Sequence, residues 1–108
     1  MCKAGRAVAL AVVLAAIAFS AQAQDGDIAA GHAFARKACK ACHVVEPSRS
    51  SRMIEIGPAF RDIADTPGMT ATALKVYLTS SHPKMPNLVL TPQEIADVTA
   101  YILSLRRR

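Results

Sequence analysis

Cys39-Lys40-Ala41-Cys42-His43 places two thiols and an imidazole within five residues. Two cysteines three apart can add to the two vinyl groups of one porphyrin. A histidine directly after the second cysteine is then held beneath the ring, where a neutral imidazole nitrogen binds iron. The run therefore reads as a c-type haem attachment signature. Three other chemistries also use paired cysteines: a structural disulfide, a thioredoxin-type dithiol and half of a zinc site. A zinc site needs further ligands at suitable spacing, and the third cysteine, Cys2, lies far away in a segment read below as a leader. A thioredoxin-type site sits at the end of a strand in a βαβ pattern, and no such pattern surrounds this run. Covalent haem is favoured over all three.

The N-terminal stretch agrees with that chemistry. Lys3 and Arg6 precede the apolar run from Ala7 to Phe19, and Ala21-Gln22-Ala23 offers a small-x-small cleavage site, so residues 1–23 read as a secretory signal peptide cut after Ala23. Thirteen apolar residues in a helix reach only ~20 Å, short of the roughly 30 Å hydrocarbon core, which disfavours a membrane anchor. Cys2 lies before the apolar run, where a lipid-modified cysteine left by signal cleavage would not be placed.

Removing the leader takes Lys3 and Arg6 away and lowers the formal charge from +5 to +3. That balance is mildly basic, and ionised haem propionates would lower it further, so nucleic-acid binding has little support. Residues 24–108 are enough for one small domain with a modest core, to which an apolar cofactor would contribute. No internal repeat, low-complexity tract or linker divides the chain.

Three helical stretches are legible and no strand alternation, so the expected class is all-α. The first spans Ile28 to Lys40, with Gly31, Phe34, Ala35 and Ala38 recurring along one face. The middle one, Thr70 to Thr79, places Leu74, Tyr77 and Leu78 together, with Pro67-Gly68 before it and Pro83 after it. The last has the firmest start, because Thr91-Pro92-Gln93-Glu94 combines an N-cap threonine, proline at the first helical position and glutamate three residues after the cap. Ile95, Val98, Tyr101, Ile102 and Leu105 form its apolar face. Arg106, Arg107 and Arg108 suit the negative end of its dipole, although the plainer reading of so short a charge run is a solvated end. Between the first and middle helices, Val44 to Met69 reads as loop-rich chain that needs something to pack on.

The other axial ligand is expected from His82-Pro83-Lys84-Met85-Pro86-Asn87, where the prolines hold Met85 in a stiff, extended loop. A thioether is a soft ligand suited to haem iron, and a Met/His pair raises the reduction potential. Met53 and Met69 read as core filling or partly exposed side chains. His82 is the rival ligand, and His32, on the first helix, is expected to be exposed.

Taken in order, these features resemble the small class I c-type cytochromes of the bacterial periplasm over residues 27–108. Gly31, with Phe34 or Ala35, matches the N-terminal helix, which in the family crosses the C-terminal helix at a position matching Tyr101. Cys39, Cys42 and His43 match the attachment motif, and Met85 in Lys84-Met85-Pro86 matches the distal ligand. Gly57-Pro58 resembles the family's Gly-Pro turn, whose proline carbonyl accepts a hydrogen bond from the proximal histidine. The resemblance implies a cytochrome c fold of three main helices and loops around one covalent haem c, with Cys39, Cys42, His43, Met85 and Pro58 as cofactor-binding residues and His43 and Met85 on the iron. It also implies periplasmic attachment. The chain departs from some members in lacking tryptophan, so their propionate contact must be replaced or absent, with Tyr77 as a candidate.

The implied function is one-electron transfer by a soluble, monomeric carrier in a respiratory chain, not an enzyme, with redox proteins as donor and acceptor. Lys37, Lys40 and Lys84 would surround the exposed haem edge, suited to acidic docking surfaces. The alternative is a haem-based sensor or ligand-binding protein in which Met85 is labile. A small peroxidase has less support, since His82 is the one evident distal acid or base.

Overall fold

A computed structural model of the chain describes residues 25–47, 56–80, 85 and 88–108. The leader, Met53, His82, Pro83, Lys84, Pro86 and Asn87 therefore lie outside the described residues. Among the described residues four helices follow in order: α1 (Ile28–Ala38), α2 (Phe60–Asp65), α3 (Ala71–Thr79) and α4 (Pro92–Ser104). Among the described residues there is no strand, only an isolated bridge at Met85. The chain is all-α, as expected.

α1 and α4 form the principal seam. α1 starts because Asp27 turns its carboxylate back onto the Ala30 amide at 2.7 Å, a cap worth ~1 kcal/mol. Gly31 then faces α4 so closely that a Cβ there would overlap the Asp97 carbonyl and come within 2.9 Å of the Tyr101 Cβ. α4 begins with the full capping box: Thr91 Oγ1 accepts from the Glu94 amide at 3.2 Å, and Glu94 accepts from the Thr91 amide at 2.8 Å. Asp97, itself buried, ties the helices together by accepting from the Asp27 amide at 2.7 Å and from Gln93 Nε2 at 2.8 Å.

Along α4, Val98, Tyr101, Ile102 and Leu105 are buried with Ala35 of α1, Val45, Phe60 and Ala64 of α2, and Leu74 of α3. Phe34, Met69 and Leu78 pack on the margin of this core. Tyr77, grouped with Leu74 from the sequence, instead stands largely exposed. α1 ends at Ala38, two residues before the expected end, because Cys39 and Lys40 already belong to the turn of the attachment run.

Two expectations are corrected here. The stretch read as loop contains α2, six residues with no side-chain cap at Ala59. The arginine tail is not merely a solvated end, since it holds that helix in place. Arg106 donates from Nε to the Ala64 carbonyl at 2.9 Å and from a terminal nitrogen to the Met69 carbonyl at 2.7 Å, bridging the turn after α2. In that turn Gly68 takes φ +77°, which glycine after Pro67 allows. Arg107 donates to Asp65 from its amide at 2.8 Å and from Nε at 2.6 Å, and its guanidinium lies 3.4 Å from Asp62.

The Arg107 amide, then its side-chain bond and charge, together with the charge of Arg61, hold the Asp65 carboxyl below the usual aspartate range. A carboxylate with a depressed pKa adds stability above its unfolded value, and that stability is lost as pH falls through the folded value. Asp65→Asn is therefore expected to lower the denaturant midpoint at pH 7 and to leave it unchanged below the aspartate range. Equal losses at both pH values would remove Asp65 as the cause.

Candidate functional site

The attachment run sits in the turn that leaves α1. The Cys42 and His43 amides donate back to the Cys39 carbonyl at 3.1 and 2.9 Å, which closes the turn. The Gly57 amide donates to the Cys42 carbonyl at 2.9 Å, and the Phe60 amide to the Val44 carbonyl at 3.0 Å. Residues 42–44 are thereby fastened to residues 57–60. Both thiols are free and half-buried. Burial first, and then the neighbouring Cys42, push the Cys39 thiol above its ordinary value, so it is protonated at neutral pH.

The His43 ring is fixed from three sides. Its Nδ1–H donates to the Pro58 carbonyl at 2.7 Å, the bond that the Gly57-Pro58 turn led us to expect. That bond puts the proton on Nδ1 and leaves the Nε2 lone pair for a metal, with the ring plane set by the turn. Gly57 lies flat against the imidazole, and a Cβ there would stand 2.7 Å from Cε1, so the close approach requires glycine. Phe60 supplies the third wall, its ring 5.3 Å away and tilted by 51°. Sequence reasoning did not single out Phe60, because it opens a helix too short to show a period.

Met85 is half-buried in the segment before α4, and the residues on either side of it lie outside the described residues. Lys37 and Lys40 are exposed beside the attachment turn. His32, expected to be exposed, is half-buried: its ring stacks on Tyr101 at 4.7 Å and its Nε2 reaches Glu46 at 3.0 Å. Among the described residues no three His, Cys, Asp or Glu side chains converge on one point, so the half-zinc-site reading of Cys39 and Cys42 finds no completing ligands there. Likewise, among the described residues no helix is long and apolar enough to cross a membrane.

The donor set fits haem c: two free thiols three residues apart, and beside them an imidazole whose outer nitrogen is already engaged and whose inner nitrogen is a lone-pair donor. The Cytochrome c family model matches residues 28–106, and the chain belongs to the cytochrome c family. It is also similar to cytochrome c-552 of Bradyrhizobium diazoefficiens, being 34% identical over 97 residues that cover 90% of this chain and 92% of that protein. No solved structure matches. The protein is thus a small class I c-type cytochrome, a haem-based electron carrier whose cofactor is covalently bound haem c with its iron.

Proposed function

We propose that this cytochrome is a soluble periplasmic one-electron carrier, not an enzyme, with His43 and Met85 as the axial ligands of a single haem held through Cys39 and Cys42. The observation that supports this reading is the 2.7 Å bond from His43 Nδ1 to the Pro58 carbonyl, which leaves the Nε2 lone pair free for a metal. Haem c, when bound, supplies the reversible ferric/ferrous couple. The protein's own residues then have separate tasks. Cys39 and Cys42 would anchor the porphyrin as thioethers, while Gly57 and Pro58 hold the His43 plane and the Pro58 carbonyl increases its basicity. Met85 would present a soft sulfur from the segment before α4 and would raise the potential relative to a harder ligand.

If His43 and Met85 both hold the iron, the protein would need to bind no substrate, and the electron would be exchanged with little rearrangement of these side chains. Residues 1–23 would direct export and be removed, leaving residues 24–108 in the periplasm. Lys37 and Lys40, exposed beside the attachment turn, would guide an acidic redox partner mainly through the association rate.

Met85→Ala tests the ligation. The native ferric protein is expected to be low-spin with a far-red sulfur-to-iron absorption band. The variant is expected to lose that band, to bind added cyanide or imidazole readily, and to have a lower reduction potential. A variant that retains the band would show that another residue holds the sixth position. A native protein that is high-spin would favour ligand binding over electron transfer.

A further inference from the structure

The Tyr101 hydroxyl makes a buried bond that the attachment chemistry does not use. From α4 it donates to the Val45 carbonyl at 2.6 Å, joining residues 56 positions apart. Val45 is itself buried, and among the described residues no other donor reaches its carbonyl. Burial, and then the charge of Glu46, push the Tyr101 phenol above its ordinary value, so it remains a neutral donor at pH 7. A buried acceptor stripped of its donor is costly, so the bond holds its two partners firmly together.

Val45 lies two residues beyond His43, on the strap that leaves the attachment run. The main chain on either side of His43 is tied down: the Cys42 carbonyl accepts from the Gly57 amide at 2.9 Å, and the Val44 carbonyl from the Phe60 amide at 3.0 Å. Those bonds join the strap to the Gly57-Pro58 turn and to the start of α2, but not to the helix crossing. Tyr101 supplies that link. A Cβ on Gly31 would come within 2.9 Å of the Tyr101 Cβ, which places this tyrosine where α1 and α4 approach most closely. The next strap residue, Glu46, meets His32 at 3.0 Å and Arg36 at 3.5 Å, but these are partly exposed pairs of a kind that contributes little in water. The Val45 bond is therefore the strap's firm attachment to the helices. The Tyr101 ring also supports the site, since it lies 6.4 Å from Phe60, which in turn lies 5.3 Å from the His43 imidazole.

We infer that Tyr101 is a positioning residue of the redox site: by holding the Val45 carbonyl, its hydroxyl keeps the His43 imidazole aligned with the Pro58 carbonyl. The inference rests on the reading of His43 as the proximal ligand. The two partners of the 2.7 Å bond from His43 Nδ1 to Pro58 sit on different segments, so its geometry depends on how strap and turn are held relative to each other. Without the hydroxyl, the Val45 carbonyl must turn towards water and takes the strap with it. The Nδ1 bond then lengthens and the imidazole becomes a less basic ligand. The ferric state draws more on that donation than the ferrous state does, so the reduction potential rises.

The test uses the holoprotein and two variants. Tyr101→Phe keeps the ring against Phe60 and removes only the hydroxyl. Thr91→Ala weakens the same helix at its cap and touches none of these bonds. Solvent exchange of the His43 Nδ1 proton is followed by NMR in the ferrous protein, alongside the amides of Val98 and Ile102 in the core of α4. In Tyr101→Phe the Nδ1 proton is expected to exchange roughly tenfold faster relative to those amides than in the native protein, the size of effect that one lost buried hydrogen bond gives. In Thr91→Ala the ratio should keep its native value. Equal acceleration of all three protons in Tyr101→Phe would make the hydroxyl merely structural and overturn the inference. The potential should rise in Tyr101→Phe and hold in Thr91→Ala; an unchanged or lower value in Tyr101→Phe, or an equal rise in both, would overturn it as well. Failure of the ligation reading would appear elsewhere, as a low-spin ferric spectrum that survives replacement of His43.

Discussion

Gly31→Val is expected to destabilise the holoprotein by ~3 kcal/mol or more, seen as a fall in the denaturant midpoint with the slope unchanged. A Cβ at this position would overlap the Asp97 carbonyl, and the obstacle is main chain of the facing helix rather than the end of a flexible side chain. The two helices must therefore move apart, which loosens the packing of Ala35, Val98, Tyr101 and Ile102 together. Gly31→Ala sharpens the argument, because alanine gains up to ~1 kcal/mol of helix propensity over glycine. If the close approach dominates, alanine too will destabilise. A stabilised Gly31→Ala protein would mean that the seam has slack.

The second large effect concerns attachment. Cys39→Ser or Cys42→Ser should leave haem held by a single thioether, and the double substitution should leave none. Acid–acetone extraction reads this directly. Native protein should keep its colour in the precipitate, and the double variant should release all of it. A native protein that gives up its haem would refute covalent attachment through these residues. The double variant is also expected to accumulate poorly. The described core is small and built largely from Ala, Val and a few larger side chains, and a domain of this size depends on additional apolar material for its stability.

What the sequence disclosed and what it hid divide along physical lines. The attachment run was legible because its chemistry is local, five residues whose spacing matches one cofactor. The start of α4 was legible for the same reason, since Thr91, Pro92 and Glu94 satisfy the first turn among themselves. The Gly57-Pro58 turn became informative only with the attachment run already in hand, through a resemblance rather than through periodicity.

α2 was not legible. It has six residues, no side-chain cap, and stabilisation from Arg106 and Arg107 some forty residues later, so no local pattern records it. His32 was misjudged as exposed because its burial depends on how α1 crosses α4, which puts Tyr101 beneath the imidazole and Glu46 within reach. The arginine tail misled in the same way, since its partners lie on a helix that the sequence does not announce. Met85 was assigned from its prolines and its chemistry, and the structure adds that it is half-buried.

The Asp27–Asp97 bond joins residues 70 positions apart, and it has a consequence for when this protein can fold. Among the described helices α1 packs on α4 alone, so a chain still emerging from the ribosome lacks half of this seam until α4 has followed. Closing so long a loop is entropically slow and is repaid only once both ends are present. No N-terminal fragment can settle early into a native-like core. The attachment run is therefore expected to stay outside a native-like core until α4 has been delivered, which makes the arrival of α4 the step that releases folding.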